Sequence, residues 1–210
     1  MDKGLLFKGL SRYLSLPVLE KLGKFHVGII GVGGLGSNVA MMLVRSGLRN
    51  LTLVDNDVVE DSNLNRQIYF PEDIGELKVK ALSRYLLMLE PNLAIKQYCE
   101  TASKENVSSL LKGCDVVVEA VDQAEYKAMF YEIFSSGHDC FYVTASGLGG
   151  LGSDESPMTV RYIKPNVVCV GDFTSQVDVN NPPLAPRVLQ AAALQANVVL
   201  KFIISDKKKQ

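Results

Sequence analysis

Two rhythms of apolar spacing alternate along the chain. Short, nearly unbroken apolar runs of strand length occur at Phe25-His26-Val27-Gly28-Ile29-Ile30, at Leu51-Thr52-Leu53-Val54, and over 95–99, 115–121 and 140–145. Between them, apolar residues return every three or four positions, the period of a helix with one buried face, over 35–46, 77–90 and 124–136. Ser103 is a plausible N-cap for a further helix ending near Gly113. Gly47 and Pro91 follow the first two helices as stops. This succession predicts an α/β class with a parallel sheet and helices packed on it. A polar, helical segment precedes it up to residue 24. The loop 56–75 is polar except for Ile68-Tyr69-Phe70, which Pro71 stops.

Beyond residue 146 the texture changes. Residues 147–157 are rich in Gly, Ser, Asp and Glu and read as a mobile loop. Runs 158–163 and 167–173 read as antiparallel strands around Lys164-Pro165-Asn166, followed by a loop over 174–186. A helix with few charges is expected over 187–204, and 205–210 end in three lysines, a solvated tail.

Composition narrows the function classes. The chain has 210 residues, 47% apolar and 21% charged, with Lys+Arg 22 against Asp+Glu 23 and a net charge of -1. A basic nucleic-acid-binding protein is therefore not the default reading. The longest apolar runs are strand-length, short of the roughly 20 residues of a membrane span. No secretory signal is evident, so a cytoplasmic protein without a membrane partner is expected. Cys99, Cys114, Cys140 and Cys169 form no CxxC pair, which argues against a zinc site and for reduced thiols.

Gly31-Val32-Gly33-Gly34-Leu35-Gly36 fits G-x-G-x-x-G between a predicted strand and a predicted helix. Glycines permit the tight turn and let backbone N–H groups approach a phosphate, and the helix start adds unpaired donors. Asp55 ends the next strand, 24 residues after Gly31, where an acid can bond a ribose hydroxyl. Gly31, Gly33, Gly34, Gly36 and Asp55 are thus candidate nucleotide-binding residues in a Rossmann-like, mostly parallel sheet flanked by helices. The plainer alternative is a turn kept for helix–sheet packing alone. The motif does not separate a dinucleotide from ATP.

The following loop bears on that choice. Asp57, Asn63, Asn65 and Arg66 give it a density of polar groups that a dehydrogenase would not need. The Arg66 guanidinium suits phosphate oxygens, and the two asparagines can orient neighbours or touch phosphate, or else form local turns. In the helix that follows, Leu82, Tyr85, Leu86 and Leu89 share one face and Lys78 stands near its centre, in the first turn. A lysine there opposes the helix dipole, so it should reach an anion at the sheet rim: phosphate, or a structural carboxylate. Lys80 falls on the opposite face. Asp122 follows a strand end, where a carboxylate near phosphates suits Mg²⁺ or caps the next helix. Asp57 could join that metal shell. Amides, Asp55, Arg66, Lys78 and Asp122 together describe attack of a carboxylate on the α-phosphorus of ATP.

G-V-G-G-L-G-S, L-V-D-N-D-V-V, S-N-L-N-R-Q, Gly75-Glu76-Leu77-Lys78 and Val121-Asp122, in this order, resemble the ThiF/MoeB/HesA family, the bacterial relatives of ubiquitin-activating enzymes. Gly171-Asp172-Phe173, Ala185-Pro186-Arg187-Val188 and Gln195-Ala196-Asn197 are similar to the short ThiF-type subgroup. The resemblance implies a single adenylation domain over 1–210: a helical arm (1–24), a nucleotide-binding core (25–146), and crossover loops, antiparallel strands and a C-terminal helix (147–210). It implies an adenylyltransferase acting with ATP and Mg²⁺ on the C-terminal Gly-Gly carboxylate of a small ubiquitin-like, ThiS-like sulfur carrier protein, in thiamine biosynthesis. Asp55 would hold the ribose, Arg66 and Lys78 the phosphates, and Asp122 the metal. It further implies a homodimer, with Arg12 as the N-terminal arginine that enters the partner's site. The carrier tail would pass beneath a crossover in 147–157 or 174–186. The two CxxC pairs of many members are absent. Cys169, in an expected buried strand, reads as inert, so sulfur would come from a separate donor protein. Competing readings are adenylation of a carboxylate on modified tRNA, as in threonylcarbamoyladenosine dehydratases, a nicotinamide-dependent oxidoreductase, and a binding module that has lost chemistry.

Overall fold

A computed structural model describes residues 4–136, 139–152 and 155–205. Seven strands form one sheet in the order β3-β2-β1-β4-β5-β7-β6. They are β1 (His26–Ile30), β2 (Asn50–Val54), β3 (Ala94–Tyr98), β4 (Val116–Glu119), β5 (Phe141–Ala145), β6 (Thr159–Lys164) and β7 (Val167–Gly171). All neighbours are parallel except β6, which pairs antiparallel with β7. The register Ile29↔Leu53 and Ile29↔Val118 brings the ends of β1, β2 and β4 to one edge. The fold class read from the sequence is the one observed, a Rossmann-like α/β sheet with an antiparallel pair at the C-terminal side.

The helices are α1 (Leu5–Leu10), α2 (Leu16–Lys24), α3 (Gly34–Arg45), α4 (Lys78–Leu89), α5 (Val107–Leu110), α6 (Ala124–Ser135) and α7 (Ala185–Ser205). Side chains alternate across each strand, and both faces are apolar, as a parallel sheet covered on both sides requires. Val27, Ile29, Leu53, Val116, Val118 and Val143 join α2, α3, α4 and α7 in one core. Ile30, Val54, Val117 and Tyr142 join α5 and α6 in the other. Fully burying one such side chain stabilises by about 1.5–3 kcal/mol, so the two layers fix the sheet firmly. By length and composition α7 could cross a membrane. In the fold, however, its Val188, Ala191, Ala192, Ala196, Val199 and Ile203 face the core beside α3, and Phe202 stacks on Phe141.

Several boundaries differ from the sequence reading, each for a local reason. β4 stops at Glu119 because that residue's own carboxylate takes the Val121 N–H. β7 stops at Gly171, where φ is +143, and Phe173 turns away at φ +66. Ser103 does not cap α5. Asn106 holds the cap position, and the Ser103 hydroxyl bonds Glu105 instead. The lysine tail expected over 205–210 lies outside the described residues from 206 on, as do residues 153–154 of the loop 147–157.

Candidate functional site

The turn from β1 into α3 shows which glycines serve packing and which do not. Gly31 has φ +82, and a Cβ on Gly36 would stand 1.9 Å from the Gly31 carbonyl oxygen. Neither position can carry a side chain. Gly33 is different: the nearest atom to a Cβ there is Gln67 Nε2 at 3.6 Å, and its φ is −78. Packing therefore explains Gly31 and Gly36; at Gly33 no neighbour crowds a Cβ, and the backbone, with ψ at −140, lies outside the ranges that side-chain-bearing residues favour. Gly33 is also the cap of α3 and offers no side-chain acceptor to the first helical N–H groups. Those donors, with the positive end of the helix, point out at the sheet edge.

Asp55 follows β2 and faces this turn. Its Oδ2 accepts the Val32 N–H at 2.7 Å and its Oδ1 the Asp57 N–H at 2.8 Å. Burial pushes its carboxyl above the ordinary value, against the pull of those amides and of Lys78. Tyr69, buried under the loop, donates its hydroxyl to the Val32 carbonyl at 2.7 Å and sits 3.3 Å from the Lys78 carbonyl. Burial raises its pKa strongly, so the hydroxyl stays a donor.

The loop 56–77 lays its charged side chains against the same turn. The Arg66 stem passes over Gly34, with Cγ 3.4 Å from where a Cβ would be. Its Nη1 donates to the Ser62 carbonyl at 3.0 Å and to Asn65 Oδ1 at 2.8 Å. Asn38 on α3 secures this contact by donating to the carbonyls of Gly34 and Arg66. Asn63 is buried and turned inward: its Oδ1 accepts the Glu60 N–H and its Nδ2 reaches Ser62. It shapes the loop, and its side-chain carbonyl is committed there; Asn65 is exposed beside Arg66.

Lys78 opens α4 on the inward face, as its spacing predicts, while Lys80 is exposed. The anion that Lys78 meets is Asp57: Nζ lies 2.7 Å from Oδ2. The lysine side chain is 8% exposed and the aspartate 59%, so the pair opens to solvent on the Asp57 side. A second network anchors the loop from behind. Buried Asp73 accepts from Arg84, the Tyr85 hydroxyl at 2.7 Å and the Phe70 N–H at 2.7 Å. Burial alone would raise its carboxyl, but these hydrogen bonds hold it below the ordinary value.

Asp122 lies just past the end of β4. A Cβ on Gly31 would be 2.9 Å from the Ala120 oxygen and 3.3 Å from Val121 Cγ1, so the segment leading to Asp122 touches the glycine turn. Asp122 is exposed, Gln123 rather than Asp122 takes the cap position of α6, and no hydrogen bond or ion pair holds the carboxylate among the described residues. No group of three or more His, Cys, Asp or Glu could hold a metal among the described residues. The donor set at this edge, one free carboxylate beside an amide turn, fits a magnesium ion that keeps water and phosphate oxygens as its other ligands. Arg12 is elsewhere. It is exposed in the α1–α2 turn, next to Leu10, which packs on Gly47 at the opposite edge of the sheet. Its own chain does not bring it to the cluster.

The two loops in which the sequence reading places the crossover border a second built region on the same edge, a cavity of about 470 Å³ between residues 149–152 and 174–184. What the sequence did not show is the network at its wall: Asp172 is bonded by buried Arg187 and also accepts the Ser175 hydroxyl at 2.6 Å and the N–H groups of Thr174 and Ser175. Burial works against ionisation here, yet these bonds and Arg187 keep the Asp172 carboxyl below its ordinary value. Cys169, on β7, is half-buried rather than buried, and desolvation pushes its thiol up to about 11, which disfavours the thiolate.

The chain belongs to the ThiF family, which matches residues 9–210. A tRNA threonylcarbamoyladenosine dehydratase of Haemophilus influenzae is 33% identical over 146 residues, 69% of this chain and 56% of the relative. A sulfur carrier protein adenylyltransferase of Thermus thermophilus is 38% identical over 104 residues, 49% of this chain and 38% of the relative. The chain thus spans about half or less of these curated relatives. Among solved structures, the E. coli tRNA N6-threonylcarbamoyladenosine dehydratase in complex with ATP superposes with a TM-score of 0.84 at 21% identity, covering 94% of this chain and 93% of that one. E. coli MccB with ATP gives a TM-score of 0.71 at 23% identity, covering 94% and 62%. At such identities the superpositions establish the fold.

Proposed function

We propose that this ThiF-family chain uses ATP to adenylate a carboxylate. The observation that carries the reading is the glycine turn with its uncapped helix start, flanked by a buried lysine at the start of α4, paired with Asp57 of the loop after β2, and by a free carboxylate after β4. A nicotinamide enzyme would have use for the turn and Asp55 but none for Lys78 or Arg66. In the proposed step an oxygen of the acceptor carboxylate attacks the α-phosphorus. The acyl-oxygen–phosphorus bond forms, the bond to the bridging oxygen of the β-phosphate breaks, and pyrophosphate leaves with that electron pair. The acceptor is already ionised, so no protein base is needed. The protein's part is to position and to stabilise charge.

In this reading the amides at 33–36 and Arg66 take phosphate oxygens. Lys78 exchanges Asp57 for phosphate, and Asp55 accepts from the ribose. Asp122 would hold Mg²⁺, which when bound would offset charge on the phosphates. Asn65 orients Arg66.

For the acceptor, we infer a carboxylate on modified tRNA, as in a threonylcarbamoyladenosine dehydratase, because such an enzyme aligns with 69% of the chain. The C-terminal carboxylate of a sulfur carrier is the second reading. It is favoured by the Thermus thermophilus relative and by the glycine-lined cavity, which would admit a glycine-ended peptide. A homodimer with Arg12 acting in trans is compatible with either acceptor. A separate sulfur donor and a role in thiamine biosynthesis attach only to the second. ATP–pyrophosphate exchange tests the proposal. Exchange that requires tRNA bearing threonylcarbamoyladenosine supports the first acceptor. Exchange that requires a Gly-Gly-ended carrier selects the second. Absence of exchange with every carboxylate acceptor rejects adenylation.

A further inference from the structure

Glu119 closes β4 as a fully buried acid. Its Oε1 accepts the Val121 N–H at 2.9 Å and Lys127 Nζ at 2.9 Å, and its Oε2 accepts the Thr144 hydroxyl. Lys127, on α6, also donates to the Ala145 carbonyl at 3.0 Å, at the end of β5. From the other face, Gln195 on α7 donates to the Glu119 backbone carbonyl at 3.1 Å. One residue on, the Ala120 N–H still bonds the Ile30 carbonyl of β1 at 2.8 Å. Residues 119–121 are therefore tied to β1, β5, α6 and α7 immediately before Asp122, and Ala120 and Val121 lie against Gly31.

An ion pair with one partner fully buried is a poor way to gain stability: the Lys127 side chain stays 25% exposed, but the Glu119 carboxylate loses its water, which offsets much of the attraction. Apolar side chains would fill this position as well. What the pair does provide is direction: the carboxylate fixes the Val121 amide, and the ammonium fixes the carboxylate. We infer that the Glu119–Lys127 pair is a positioning device that sets the Asp122 carboxylate against the glycine turn, and with it the Mg²⁺-dependent part of nucleotide binding. The inference rests on the reading that Asp122 holds the metal. Glu119 and Lys127 touch neither nucleotide nor metal in this account.

The test compares the whole chain with Lys127→Arg, Glu119→Gln and the double variant Glu119→Gln/Lys127→Met, which leaves no stranded charge. Affinity for a non-hydrolysable ATP analogue is measured by calorimetry with and without Mg²⁺, and amide hydrogen exchange is followed at Val121. Partners that orient a metal ligand typically matter by about 10- to 100-fold in metal affinity. The folded double variant should therefore lose about tenfold of the Mg²⁺-linked gain while binding the analogue alone as the wild type does, with faster exchange at Val121. Lys127→Arg should retain both properties. An unchanged Mg²⁺-linked gain in the double variant overturns the inference, as does an equal loss with and without the metal. If the wild-type chain binds no analogue, the functional reading falls. Val121 exchange then decides the brace by itself, and unchanged exchange overturns it.

Discussion

The two halves of the sheet's C-terminal edge use the same residue types for different ends. After β1 and β2, glycines and an aspartate leave groups turned outward. The α3 start has no side-chain cap, and Lys78 is paired only with a well-exposed Asp57 among the described residues. After β5 and β7, glycines and an aspartate turn inward. Gly147, Gly149, Gly152 and Gly171 are hemmed in by Asp172, the Gln176 carbonyl, Arg187 and the Ser146 carbonyl, and Asp172 is fully engaged by Arg187, Thr174 and Ser175. A glycine-rich stretch beside a strand end is therefore not diagnostic of a phosphate cradle. What distinguishes the two is whether the polar groups beside the glycines are already engaged within the chain, as at Asp172, or left open, as at the α3 start.

That contrast can be broken by substitution. The largest effect is expected for Gly36→Ala, whose Cβ would overlap the Gly31 carbonyl. It should cost more than about 4 kcal/mol and yield little folded protein in a thermal melt. Arg187→Ala strands the buried Asp172 charge and should cost about 3–5 kcal/mol in denaturant unfolding, while nucleotide affinity in the folded fraction stays unchanged. A large loss of affinity there would merge the two halves into one site. Lys78→Ala should lower exchange activity about 10²–10³-fold, and Lys80→Ala should leave it alone. The reverse order would mean that the inward face of α4 is misassigned. Gly33→Ala sharpens the comparison most finely. No neighbour opposes the new Cβ, but the Gly33 backbone has ψ −140, so the substitution should cost about 1–3 kcal/mol, less than Gly36→Ala, and weaken nucleotide binding about tenfold.

The smallest expected effect is a pH dependence. The Asp172 carboxyl is held below its unfolded value of 3.8, so its contribution to stability is complete above that value and is lost as pH falls through the lower, folded pKa. Asp73 behaves alike. Asp55 is shifted the other way, so acidification through its raised pKa favours the folded state at that residue. A shallower acid limb in the melting temperature of Asp172→Asn than in the wild type is the expected outcome.

The outward-facing half was legible in the sequence because its information is local. Turn, helix start, strand-end acid and the face of α4 are each set within a few residues, and Lys78 and Lys80 fell on the faces their spacing implies. The inward-facing half and the Glu119 network were not legible. The partners of Glu119 lie at Lys127, Thr144 and Gln195, and the charged partner of Asp172 at Arg187, brought together only when β4, β5, β7, α6 and α7 assemble; Ser175 alone is local to Asp172. For Asn63 the sequence left phosphate contact and a local turn both open, and the folded loop shows its side-chain oxygen turned inward to accept the Glu60 N–H.

The most direct measurement is a crystal structure of the chain with a non-hydrolysable ATP analogue and Mg²⁺. The account predicts phosphates on the α3 start, Lys78 transferred from Asp57 to a phosphate oxygen, and Asp122 at the metal. A nucleotide seated instead in the cavity between Gly149 and Leu184, with the Lys78–Asp57 pair intact, would contradict it.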